Sequence, residues 1–172
     1  MGSPESPFGS DDHPIEPHPV LPSGIEAGLF GGFTVVAVFL ISDMLGGEPL
    51  HTPSVLGTLL IEGAEAARSI GSAPGAAAAY NLVHFSFWIA VGSVGIHLMH
   101  RVEKSAGDWY LPYVALAVFL LGCIALDAAV AETGLARTHL WLGGLAGALA
   151  VAIFMGWRHP HAMTRVLRFG KE

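Results

Sequence analysis

GIEAGLFGGFTVVAVFLISDML, residues 24–45, decides how the rest of the chain is read. Sixteen consecutive residues between Glu26 and Asp43 carry no charge. At 1.5 Å per residue, about 20 apolar residues in a helix cover the ~30 Å hydrocarbon layer of a bilayer. The stretch is long enough and bare enough to cross.

Three more stretches have the same character, at residues 76–99, 110–130 and 140–157. Charge is concentrated between them, as expected where a bare charge in hydrocarbon costs several kcal/mol. The whole 172-residue chain is 52% hydrophobic and only 13% charged, about half the charged share of an ordinary soluble domain. Trp109, Tyr110, Tyr113, Trp141 and Trp157 stand at span ends, where amphipathic rings favour the membrane interface. The expected fold is an all-α bundle of four transmembrane helices.

The 30-residue connection after the first span holds a shorter helical pattern. Thr52 is a candidate N-cap and Pro53 suits the first turn. Leu56, Leu59, Leu60, Gly63 and Ala67 repeat on one side, with Glu62, Glu65 and Arg68 on the other. This segment is too short and too polar to cross. It reads as an interfacial amphipathic helix in the first extracytoplasmic loop.

The first 22 residues hold six prolines and four carboxylates but no Lys or Arg. They lack the basic-then-apolar pattern of a signal peptide, so the first span is expected to act as its own insertion signal. The resulting division is an extended Pro-rich tail at 1–23, a four-helix membrane domain at 24–157 and a basic tail at 158–172. With both termini in the cytoplasm, Arg101, Lys104, Arg158, Arg165, Arg168 and Lys171 fall inside, and only Arg68 and Arg137 outside. The positive-inside bias therefore gives an N-in, C-in topology.

A net charge of −6 without a long basic run excludes a nucleic-acid footprint. Cys123, the one cysteine, lies in an apolar run and reads as a small buried residue. Gly24, Gly28 and Gly32 recur every fourth residue on the first span, and Gly143 and Gly147 do so on the fourth. This spacing lets helix backbones approach closely in lipid. The close approach serves either contacts inside the bundle or docking of another subunit.

Candidate chemistry comes from ionisable residues at membrane depth, which need compensating partners. Asp43, His84, Asp127, Glu132 and His139 all fall in the outer half of the bundle. Imidazole and carboxylate ligands suit a divalent metal, with Asp43, His84, Asp127 and His139 as the set, or a proton relay. Interhelical hydrogen bonds or plain solvation are the simpler reading. A haem or chlorin on His84 is a further option, since Asn81, His84, Trp88, Gly92 and Gly95 share a face suited to a flat ring. Two stacked haems are disfavoured, because His84 and His97 lie about 220° apart around the helix and the fourth span holds no second histidine to pair with His97. His97, His100, His159 and His161 cluster near the basic side and suit anchoring to anionic lipid headgroups. Glu26 is placed to pair with one of them.

Gly-Gly-Glu-Pro-Leu-His-Thr-Pro at residues 46–53 resembles a pattern in uncharacterised bacterial four-span membrane proteins, and Ala-Tyr-Asn-Leu-Val-His-Phe at 79–85 resembles their second-helix opening. The resemblance covers the first two spans and their connection. It implies a bacterial inner membrane and no catalytic residues. The functional expectation is a small accessory subunit of a larger membrane complex, with lipid and other membrane subunits as partners. An energy-converting complex, respiratory or photosynthetic, is one candidate. The alternative is a cofactor or metal protein centred on His84 and Asp127. A transporter is less well supported, because no span is broken by proline and no inverted repeat is visible.

Overall fold

The computed structural model describes residues 20–131, 133, 135 and 137–169. Every regular element among them is helical. In chain order the α-helices are α1 (Val20–Leu45), α2 (His51–Glu62), α3 (Ala64–Ala67), α4 (Pro74–Lys104), α5 (Leu111–Val130), α6 (Arg137–Arg158) and α7 (Pro160–Leu167), with a short 3-10 helix at Ala106–Asp108 between α4 and α5. Four of them, α1, α4, α5 and α6, are long and apolar enough to cross a membrane. The fold is an all-helical, four-span bundle.

Helix starts follow the prolines. Pro74, Pro112 and Pro160 occupy first-turn positions of α4, α5 and α7, where a missing N–H costs nothing. α1 begins at Val20, so Pro22 lies in its first turn rather than in an extended tail. The expected tail otherwise falls at residues 1–19, outside the described residues, as do Glu132 and Lys171.

The core is a seam between α1, α4 and α6. A methyl group at Gly28 would collide with the Trp88 carbonyl and the Ile89 backbone, and one at Gly92 with the Gly24 carbonyl and the Gly28 amide. These helices touch backbone to backbone. Trp88 lies across the junction: a Cβ on Gly31 would come within 2.8 Å of its ring, and one on Gly147 within 2.6 Å. Gly143 faces Phe39 in the same way, at 2.6 Å. In lipid, where apolar side chains gain little by leaving the hydrocarbon, such close packing holds helices together.

α4 has 31 residues, about 46 Å, more than a bilayer requires. Its two ends are covered by the short helices. At the N-terminal end α2 packs so tightly that a Cβ on Gly57 would overlap the Ala76 carbonyl. Ser54 ties the pair together, its Oγ accepting from the Ala73 amide at 2.9 Å and donating to the Leu50 carbonyl at 2.6 Å. At the other end Ala162 and Val166 of α7 bury against Met99 and Val102.

Within the basic segment, residues 160–169 form a packed helix and its turn. Arg165 donates to the Val102 and Glu103 carbonyls at 3.1 and 3.0 Å, satisfying acceptors that the end of α4 leaves open. The Tyr113 hydroxyl donates to the Val166 carbonyl at 3.0 Å. Phe169 closes α7 in the left-handed region, at φ 53°, where glycine is usual. Its ring stacks on Tyr113 with centroids 6.1 Å apart and meets Trp109 edge-on at 5.8 Å.

The start of α1 and the end of α6 meet, with Arg158 3.7 Å from a Glu26 oxygen and 3.5 Å from the Ser23 hydroxyl. Described charge is split between the two ends of the bundle. Arg101, Lys104, Arg158, Arg165 and Arg168 share one end with Glu26, Glu103 and Asp108. Asp43, Glu48, Glu62, Glu65 and Asp127 fall toward the other, with Arg68.

Candidate functional site

Two polar places stand out, and the residues singled out from sequence divide between them. The first is at the acidic end, where α1 runs out. Asp43 is only 6% exposed, and both of its oxygens are engaged. Oδ2 accepts from the Thr52 backbone amide at 2.8 Å, and Oδ1 from the Thr52 hydroxyl at 2.6 Å. A carboxylate at a helix N-terminus meets the unpaired amides and the positive end of the macrodipole.

Thr52 was expected to cap α2. Instead it lies inside the helix, the N-cap is Leu50 at φ 68°, and no side chain of the segment itself makes the cap bond. The capping group comes from α1. Thr52, Pro53, Ser54, Val55, Leu56, Gly57 and Thr58 are all buried, whereas Leu60 and Ile61 are exposed. Of the expected stripe, Leu56 and Ala67 are buried and Leu59 packs against the core, while Leu60 is exposed and Gly63, at φ 92°, divides the segment into α2 and α3.

Asp43 also lines a crevice of ≈220 Å³ together with Glu48, His51, Thr52 and His139. His51 Nδ1 stands 3.1 Å from a Glu48 carboxylate oxygen. Sequence reasoning placed Asp43 and His139 near each other but missed Glu48 and His51. Their three-residue spacing just before Thr52-Pro53 was the available signal. Asp43 also lines a smaller apolar cavity with Phe39, Leu50, Pro53 and Asn81.

The second place is His84, one helix seam away. The ring is 6% exposed and both nitrogens have partners. Nε2 lies 3.2 Å from the Gly32 carbonyl oxygen, and Nδ1 lies 3.1 Å from the Tyr80 hydroxyl. A carbonyl only accepts, so in the neutral ring Nε2 carries the proton and Nδ1 accepts from Tyr80. His84 thus bonds α4 to the glycine face of α1.

This geometry does not fit a macrocycle on His84. Neither nitrogen is open to an iron or magnesium. The space beside Gly92 is occupied by the Gly24 and Gly28 backbone, and that beside Gly95 by the Met155 thioether. Nor do the four expected metal ligands converge. Asp43 and His139 share the crevice, while His84 and Asp127 line neither cavity. Among the described residues no three His, Cys, Asp or Glu side chains are placed to hold one metal ion.

The glycines expected at helix contacts face inward. Gly24 and Gly28 meet α4, Gly32 meets Phe85, and Gly143 and Gly147 meet Phe39, Val35 and Trp88. They are used within the chain, so they supply no surface for a further subunit. α5 differs. Only 6% of its apolar window is buried, against 39% for α1, 28% for α4 and 22% for α6. Gly122 of α5 has nothing within 4 Å of where a Cβ would stand.

Compared with family models, curated proteins and solved structures, the chain matches none.

Proposed function

We propose that this chain is a small non-catalytic accessory subunit of a larger membrane assembly, with α5 as the helix that meets its neighbour. The observation that carries this reading is how little of α5 is fully buried, 6% of its apolar window. Helices associate in lipid through close packing, and α5 meets its own chain chiefly through Phe119 on Trp88 and Tyr113 on Val166, which leaves its other face apolar and uncovered. Val118, Leu121 and Ala125 leave an apolar surface on α5, with Gly122 as a gap in it. A second helix could seat there much as α4 seats on α1.

The same proposal places the chain in a bacterial cytoplasmic membrane with both termini inside. The basic surplus at the end shared by the start of α1 and α7 supports this orientation. α2 then lies at the outer headgroup level, held by Asp43. The closed surroundings of His84 disfavour the alternative of a cofactor protein.

Extraction in a mild detergent is expected to recover the chain in a particle well above its own 18.0 kDa. A monodisperse particle containing this chain alone, obtained under the mildest conditions and with full yield, would overturn the proposal. The companion test is Leu121→Cys crosslinking in native membranes, where the expected product joins this chain to a different polypeptide.

A further inference from the structure

Beyond the glycine seam, toward the end of α1, a cavity of ≈90 Å³ lies beside Asp43. One face of α1, from Val36 through Leu40 to Asp43, forms one wall, and Leu50 and Pro53 close it from the start of α2. α4 contributes Asn81. Only two of the lining side chains are polar, and they differ. Both Asp43 oxygens accept from Thr52. Among the described residues, none hydrogen-bonds the Asn81 side chain. A carboxamide carries two N–H donors and an acceptor oxygen, and leaving them unmade against apolar walls is costly.

The depth of the cavity narrows what can complete Asn81. α4 exceeds the ~30 Å hydrocarbon layer by about 16 Å, and Asn81 stands about 10 Å past Pro74. Sharing the excess between the two ends puts Asn81 at the boundary where hydrocarbon begins. The exposed lining residues are Leu40, at 42%, and Leu50, at 39%, so the cavity opens on their side. Leu40 belongs to a span, and that side faces lipid. Leu50 holds its place in the rim with φ at 68°, where glycine is usual. Deeper in the bilayer, Phe33 and Phe85 continue the same faces of α1 and α4, their ring centroids 4.9 Å apart.

We propose that the cavity binds the carbonyl end of one acyl chain of a glycerolipid, with the ester carbonyl accepting from the Asn81 amide. Its volume holds about three water-sized groups, enough for an ester and the first carbons of a chain. The rest of the chain leaves past Leu40 and lies over Val36 and Phe33. Asp43 in the wall disfavours a free fatty carboxylate, because like charges repel at short range. The site depends on neither the subunit role nor the direction in which the termini face.

The test compares two probes on the full chain. Dioleoyl phosphatidylcholine has ester carbonyls, and its dialkyl ether analogue has none. Native mass spectrometry is expected to find one ester lipid held per chain, at about fivefold higher occupancy than the ether lipid, the worth of one neutral hydrogen bond. Asn81→Leu should abolish that preference and leave ether retention unchanged. A phosphatidylcholine with a diazirine on its acyl chain, added at one molecule per chain, should label residues 33–40. Equal retention of the two probes by the unaltered chain would overturn the proposal, whether or not the variant folds. So would labelling confined to α5 or α6. Displacement of the ester lipid by an equimolar amount of oleate or decylubiquinone would also end it, marking a fatty-acid or quinone site instead.

Discussion

α1 and α5 are both apolar helices long enough to span a bilayer, yet they relate to the rest of the chain in opposite ways. α1 brings its backbone against α4 through Gly24 and Gly28, and its Val35 and Phe39 against Gly143 and Gly147 of α6. α5 has a higher apolar content and almost no such contacts. Hydropathy therefore determines that a helix enters lipid, and small residues opposite matching surfaces determine what it touches there. A span may be unmistakable in the sequence and still leave its neighbours undefined by hydropathy alone.

The sharpest way to break this contrast is to add bulk at the close contacts. Gly92→Leu pushes a side chain into the Gly24–Gly28 backbone, which cannot give as a flexible side chain can. A loss of about 3 kcal/mol or more is expected. Equilibrium unfolding in mixed micelles, or the yield of folded chain, would register it. An unchanged midpoint would mean that the α1–α4 seam is not what holds the bundle.

The next effect is at the acidic end. Asp43→Ala removes a charged acceptor from a buried amide and hydroxyl and should destabilise by about 2 kcal/mol. Exchange of the α2 amides should rise well before that of α4. Thr52→Val should capture part of the same loss. A double-mutant cycle between the two positions is expected to show coupling near 1 kcal/mol, and strict additivity would deny the bond its role.

A smaller change is expected at His84. His84→Leu keeps most of the volume but leaves the Tyr80 hydroxyl without its acceptor, at a cost of about 1 kcal/mol. The purified chain should have the same absorption spectrum before and after the substitution. A visible band lost with His84 would revive a cofactor role and contradict the seam geometry.

Gly122→Leu closes the comparison from the other side. Nothing stands where the new side chain would go, so the isolated chain should change by less than about 0.5 kcal/mol. The same substitution should reduce recovery of the larger assembly. If it destabilises the isolated chain as Gly92→Leu does, α5 is not the free surface proposed here.

The spans were legible because length and absence of charge are properties of single segments, and observed boundaries lie within a few residues of those expected. Longer-range features were harder to read. The face carrying His84, Trp88 and Gly92 suggested room for a flat ring, because a glycine in a sequence indicates space without indicating what occupies it. Here the occupant is another helix backbone. Thr52 suggested a self-contained cap, since the usual capping residue precedes its own helix. The carboxylate that meets it stands nine positions earlier, on a different helix. A carboxylate ending one helix and Thr-Pro opening the next was a usable clue. α7 escaped notice because residues 158–172 were read by the basic residues that flank it, Arg158, Arg168 and Lys171. Its Pro160 start and the Ala162–Val166 pair marked a helix with one apolar side.

The α1–α4–α6 seam also constrains how the protein can be made. α1 leaves the ribosome first, but both helices that fill its groove come later, and the Trp88 ring is closed in only once Val151 and Gly147 arrive. A nascent chain halted before α6 would hold an unmatched groove in the bilayer, open to the wrong helix or to membrane proteases. The α1 groove is therefore filled only when α6 has joined α4 against it.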